Sequence, residues 1–496
     1  MKLFKKIAGF ILAFAMILAI AMPSVVMAAD TTYKLTLQNT VEGHTYEVYQ
    51  VFSGTLSTKN NKKVLSDLKW GSGVKADAYT ETAKAKAETL TDETTARAFA
   101  KELVNQKKLS AATKTVQSTT GTTEIAGLAA GYYLVKDTDS SLANKNDSYT
   151  AYILQVVGDA TTSVKSDVPS SEKKVKDIND STDTETTEWQ DAADWDIGDE
   201  VPFKIEGTLP SNYDKYKKYT LKFHDKEEEG LTFKSETVKV FIDNTEITEG
   251  FRVVVNPEDN DTFDVVFDNL KTTSAKNNSV IRVEYKSVLN EKANLGKPGN
   301  KNTMYMEFSN NPNNEQGGEF GKTPDDTVIV FTYKVDVNKV DEQGNKLTGA
   351  EFTLEKKIKG TKDTWKAITK VSGTADDVFE FKGIDDGEYR LTETRAPANY
   401  DKLSDPIYFT VTAGHVDGAN PYLDTFSGNI TSGNVGTMTF TANKDSGILS
   451  TKVVNKPGSS LPETGGMGTT ILYVAGAVMI LAAGAFLVMQ KKAEDK

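Results

Sequence analysis

Three residues far apart in the chain, Lys339, Glu393 and Asn455, carry side chains that can react with one another. In "TYKVDVNKVDEQG", Val335, Val337 and Lys339 share one face of a strand, because successive side chains alternate sides. Tyr389, Leu391 and Glu393 share a face in "GEYRLTETRAP", and the closing run "STKVVNKP" ends with Asn455. A lysine in line with core valines is costly while it carries an unpaired charge. Apolar surroundings favour the neutral amine and the protonated acid. A neutral amine is a nucleophile. A protonated carboxyl beside it can polarise the asparagine carbonyl and relay protons as ammonia departs. The product is a Lys–Asn isopeptide bond, made once by the chain on itself, with no turnover.

Each residue alone has a plainer reading. A lysine at a strand end reaches back to water, and an asparagine before proline opens a turn. The set, however, occurs twice. Tyr219, Leu221, Phe223 and Asp225 alternate onto one face, as do Met304, Met306, Phe308 and Asn310. The matching lysine is Lys173, in phase with Val175, or its neighbour Lys174. Two sets in the same chain order favour the bond. Joining Lys339 to Asn455 closes a loop of about 116 residues, worth about 4–5 kcal/mol on the chain-entropy account of a comparable cross-link. An earlier segment acts as a control. "GYYLVKD" puts Asp137 where Glu393 sits, but Asn39 stands where a lysine is needed, and Gly158 and Asp159 stand where an asparagine is needed. No bond is expected there.

The elements that must hold these side chains are strands. Short alternating runs rich in Thr, Val, Tyr and Phe, with Gly, Asn, Asp and Pro between them, indicate an all-β chain of tandem Ig-like β-sandwich domains. One exception is "TDETTARAFAKELVNQ", where Ala96, Phe99, Ala100, Leu103 and Val104 make a helical stripe within the first domain. The expected order is a signal peptide over 1–29 and domains over 30–165, 166–330 and 331–457. A sorting segment over 458–496 follows.

The ends set the compartment. Lys2, Lys5 and Lys6 precede an apolar run, and Ala28 and Ala29 offer a small-residue cleavage site, as in a secretory signal peptide. From Thr469 to Met489 the chain is apolar and long enough to cross a bilayer, with Lys491 and Lys492 behind it. The net charge of −12 argues against nucleic acid as a partner. With no cysteine and three scattered histidines, a thiol enzyme or zinc site is disfavoured, and no metal or other cofactor is expected. "DINDSTDTE" lacks the glycine and terminal glutamate of a calcium loop and reads as a solvated acidic loop. An exported chain without disulfides needs another brace, which the isopeptide bonds would supply.

Leu461, Pro462, Glu463, Thr464 and Gly465 form an LPETG motif; with "YRLTETRAP", "FSNNP" and "KVVNKP" it makes the chain resemble a Gram-positive backbone pilin, the shaft subunit of sortase-assembled pili. The resemblance runs over essentially the whole chain and implies collagen-binding-protein A- and B-type domains. It implies that a pilus-specific class C sortase cuts between Thr464 and Gly465 and passes the acyl group to a lysine of the next copy. Tip and base pilins, a housekeeping sortase and peptidoglycan are the further partners it implies. The family's acceptor lysine often lies in a Val-Tyr-Pro-Lys motif, which is absent here; Lys165 occupies the corresponding place. The alternative is a monomeric wall-anchored adhesin for a matrix protein or glycan. An anchored enzyme finds no convergent catalytic set.

Overall fold

Strand alternation is realised almost residue by residue. Along Tyr333–Val340 the side chains of Tyr333, Val335, Val337 and Lys339 are buried, while Lys334, Asp336 and Asn338 are half-buried on the other face. A computed structural model describes residues 31–59, 62–164, 167–182, 184–185, 188–360, 362–369, 377–433, 438–458 and 467–494. Half-buried alternating strands need a second sheet to cover their apolar face. Three successive pairs of sheets supply it.

In the first pair, Tyr33–Thr40 lies between Gly121–Leu128 and Ala160–Ser163. This small sheet faces a five-stranded one built around Thr45–Lys59 and Gly131–Asp137. Leu35, Leu37, Tyr46, Val48, Tyr133 and Val135 fill the space between them. The outer face of the larger sheet is covered by Ala83–Glu88 and Glu93–Asn105, with Phe99, Ala100 and Leu103 pointing inward. The second helix starts at a capping box in which Asp92 accepts from the Thr95 amide at 2.8 Å.

The second pair sets a five-stranded sheet containing Ser170–Val175, Glu200–Thr208 and Val280–Leu289 against a larger sheet. Asn300–Ser309 lies at the middle of the larger sheet, between Leu221–Glu227 and Asp326–Phe331. Its core holds Phe203, Phe223, Phe263, Tyr285, Met304 and Met306. In the third pair, Tyr333–Val340 runs parallel to Ile448–Val454, with Lys339 opposite Val453. Glu351–Ile358, Gly387–Arg395 and Ile407–Val416 belong to the facing sheet. This parallel pairing of an opening strand with a closing strand is what brings residues near 339 and 455 together. Met467–Glu494 is a helix whose stretch Ile471–Lys491 has mean hydropathy 2.5 and is long enough to span a membrane.

The acidic loop departs from expectation. Its described part is docked, not solvated. Asp180 accepts from the Lys356 ammonium at 3.3 Å, the Asp180 carbonyl accepts from the Lys359 amide, and the Ser181 hydroxyl donates to the Lys357 carbonyl. Asp180, Ser181, Asp194 and Asp196 tie this part of the chain to the third sheet pair through Lys356, Lys357, Asp386 and Asp385. The signal peptide, the LPETG motif and Lys165 lie outside the described residues.

Candidate functional site

In the third sheet pair, Lys339, Glu393 and Asn455 are all at most 2% exposed. The Lys339 ammonium donates to the Val453 carbonyl at 2.8 Å. Burial lowers its pKa to about 8, against the opposing attraction of Glu393. The Asn455 amide nitrogen donates to both oxygens of Glu393, at 3.0 and 3.2 Å, and to the Asp401 carbonyl at 2.9 Å. Its carbonyl oxygen is buried without a hydrogen-bond partner. The acid therefore sits on the nitrogen that would have to leave, not on the carbonyl oxygen as the sequence suggested. The Leu403 amide donates to Glu393 at 2.8 Å and fixes that carboxylate.

In the second pair, Lys173 is fully buried, whereas Lys174 is half-buried and pairs with Asp191 at 2.7 Å. The Lys173 ammonium contacts Asp225 and donates to the Tyr285 hydroxyl at 2.6 Å. That hydroxyl donates to Asp225 at 2.8 Å. Burial lowers the Lys173 pKa and raises that of Asp225, with the attraction between them opposing both shifts.

Asn310 is not in this cluster, which corrects the assignment made from strand phase. Asp225 pairs across the sheet with Met304, so Asn310 lies six residues further along, roughly 20 Å away. Its side-chain amide donates instead to the Leu142 carbonyl of the first sheet pair at 2.9 Å. The asparagine beside Lys173 is Asn302. Its amide nitrogen donates to the same Tyr285 hydroxyl at 2.9 Å and to Glu227 at 3.3 Å, and its carbonyl oxygen is buried and unpartnered. Asn302 shares the phase of Met304 and Met306, so alternation selected the right face and the wrong position along it. Tyr285 and Glu227 were missed too; their only sequence signal is phase with Val283 and Asp225.

In the first pair, Asp137 is buried, but its neighbour is His44, whose two ring nitrogens lie 2.7 Å from Asp137 and from Asp147. Burial pulls this imidazole down, yet hydrogen bonds to the two carboxylates and their charges carry it up to about 9. Asn39 is exposed with φ of 59°, and the Asp159 carboxylate accepts from the Lys34 amide at 2.9 Å. The acid here is satisfied by an imidazolium, with neither Asn39 nor Asp159 facing it.

Two family models match this chain. The prealbumin-like fold domain covers residues 333–421, and the LPXTG cell wall anchor motif covers residues 453–496. With the apolar helix that follows, these matches define a surface protein held in a Gram-positive cell wall. The chain is homologous to a backbone pilin. The trypsin-resistant surface T6 protein of Streptococcus pyogenes serotype M6 is 26% identical over 436 residues, covering 74% of this chain and 75% of that relative. The solved T6 backbone pilin of serotype M6 superposes with a TM-score of 0.57 at 20% identity, over 88% of this chain and all of that one. The major pilin SpaD of Corynebacterium diphtheriae gives 0.50 at 17% identity, over 87% of this chain and 99% of that one. The fold is thus that of a major pilin.

Proposed function

We infer that this chain is the structural shaft subunit of a pilus, anchored to the cell wall and braced inside by two self-made isopeptide bonds. The observation that carries the reading is the pair of buried lysine–acid–asparagine clusters in successive sheet pairs of a wall-anchored chain. In the third pair the neutral Lys339 amine attacks Cγ of Asn455. The Cγ–Nδ2 bond breaks, ammonia leaves, and Glu393 carries the lysine proton to the departing nitrogen. In the second pair Lys173 joins Asn302, with the Asp225 carboxyl group beside the lysine nitrogen. The first pair makes no such bond, its acid being held by His44.

Polymerisation uses the other end of the chain. A class C sortase forms an acyl enzyme at Thr464, releasing the segment from Gly465 onward, and an amine of the next copy displaces the enzyme. Lys165 is that amine: in the sequence it falls between Ala160–Ser163, a strand of the first sheet pair, and Ser170–Val175, a strand of the second. Tip and base pilins complete the fibre, and a housekeeping sortase transfers its last subunit to peptidoglycan. Cell-wall extracts should give an SDS-resistant ladder of high-mass species, lost in Lys165→Ala. A single anchored band from the wild-type chain would instead favour a monomeric adhesin, and a ladder that survives Lys165→Ala would move the acceptor elsewhere.

A further inference from the structure

The two clusters differ in one respect that bears on how their bonds form. In the third pair a single carboxyl group, Glu393, faces the asparagine nitrogen with both its oxygens. In the second pair two carboxyl groups divide the site. Asp225 contacts the Lys173 nitrogen, and Glu227 accepts from the Asn302 nitrogen at 3.3 Å. Glu227 and Asn302 are direct cross-strand partners, two residues along from Asp225 and Met304, so both acids project from the same face of one strand. One Glu227 oxygen also accepts from the Ser287 hydroxyl, and the other is buried with no partner. The Tyr285 hydroxyl stands between the halves, accepting from both the lysine and the asparagine nitrogens while donating to Asp225.

We propose that Glu227 is a second acid of the self-cross-linking reaction, donating the proton with which the Asn302 nitrogen leaves, while Asp225 serves only the lysine. This rests on the reading that Lys173 and Asn302 become joined. The reaction starts with Lys173 neutral, Asp225 ionised and Glu227 protonated. The Lys173 nitrogen forms a bond to Cγ of Asn302 and sheds one proton to Asp225. Glu227 gives its proton to Nδ2, the Cγ–Nδ2 bond breaks, and ammonia departs. One proton is taken up and one released, so the sum is amine plus carboxamide giving amide plus ammonia. Burial, reinforced by the nearby Asp225 charge, raises the Glu227 pKa to about 8, so the donor form is populated at neutral pH. Tyr285 is a positioning residue: its oxygen holds the two nitrogens on one side of the amide.

The test follows the Lys173–Asn302 cross-linked peptide by mass spectrometry after a pulse of cell-free synthesis, with the Lys339–Asn455 peptide of the same molecules as internal control. Glu227→Gln should slow the first by about 100-fold, the scale of a lost general acid, and leave the second unchanged. In the wild type the rate should fall as pH rises through about 8, and Glu227→Asp should restore part of it. Unchanged kinetics in Glu227→Gln with a normal wild-type bond would overturn the role of Glu227 alone. A wild-type chain with no Lys173–Asn302 peptide would overturn the cross-link reading beneath it. If Glu227→Gln slows both bonds, it acts through folding, and the proposal fails.

Discussion

A lysine buried among valines has two ways to escape its charge: it can lose a proton or become an amide. Lys339 shows the first while its amine is free, with a pKa lowered by burial to about 8 from the ordinary 10.5. Replacing Asn455 with Ala removes the acceptor and leaves the amine free for good. Between pH 8 and 10.5 the unfolded variant then binds a proton that the folded one does not. Stability therefore rises with pH across that window, and the full penalty applies below it. In the proposed cross-linked wild type the nitrogen is an amide and does not titrate. Thermal melts of Asn455→Ala should gain on the wild type between about pH 8 and 10. A gap that stays constant or widens would mean that this lysine is not the group titrating. His44 has the opposite sign: its pKa of about 9 is raised, so the stability it contributes is complete below 6.5 and is lost as pH rises through 9.

At the scale of the strand, alternation and register carry different information. Alternation selected Lys339, Glu393 and Asp225 for the core, and the end of the closing strand selected Asn455; all four are buried. It also favoured Lys173 over Lys174. It could not distinguish Asn302 from Asn310, because both share the phase of Met304 and Met306. What separates them is the pairing of Asp225 with Met304, a contact between strands almost 80 positions apart that no local pattern reports. The acidic loop from 177 failed for a similar reason. Its partner, Lys356, is fully buried, contacts Asp385 and lies 3.3 Å from both Asp180 and Asp196, a cage contributed by two sheet pairs. Composition marks such a loop as polar but not as docked. The register makes a paired prediction. Asn302→Ala should abolish the middle cross-link and raise the mass by about 17 Da relative to that expected for the substituted, bonded chain, since ammonia is retained. Asn310→Ala should leave the bond intact. The reverse result would restore the assignment made from phase.

Across the whole molecule, the two proposed braces would lie on the path of force. In a fibre linked from Thr464 to Lys165 of the next copy, tension enters each subunit at one of these residues and leaves at the other. The segment between them contains the second and third sheet pairs, and the first pair hangs outside it. The two proposed bonds, Lys173–Asn302 and Lys339–Asn455, fall inside that segment, while the cluster outside it holds its acid with a histidine. In the third pair the opening and closing strands run parallel and adjacent, so a pull along the chain loads that pairing end to end. Hydrogen bonds alone would yield there, and the amide would transmit the load past everything from 340 to 454. Stretching a single subunit tethered at Lys165 and Thr464 should therefore show no release of that length in the wild type. Lys339→Ala should add one step of roughly 400 Å, about 115 residues at the extended length of a chain. Tethering Lys339→Ala by residue 31 and Lys165 should leave the extension of the first pair as it is in the wild type. If the wild type gives the 400 Å step, the third pair carries no covalent brace and the shaft is held by folding alone.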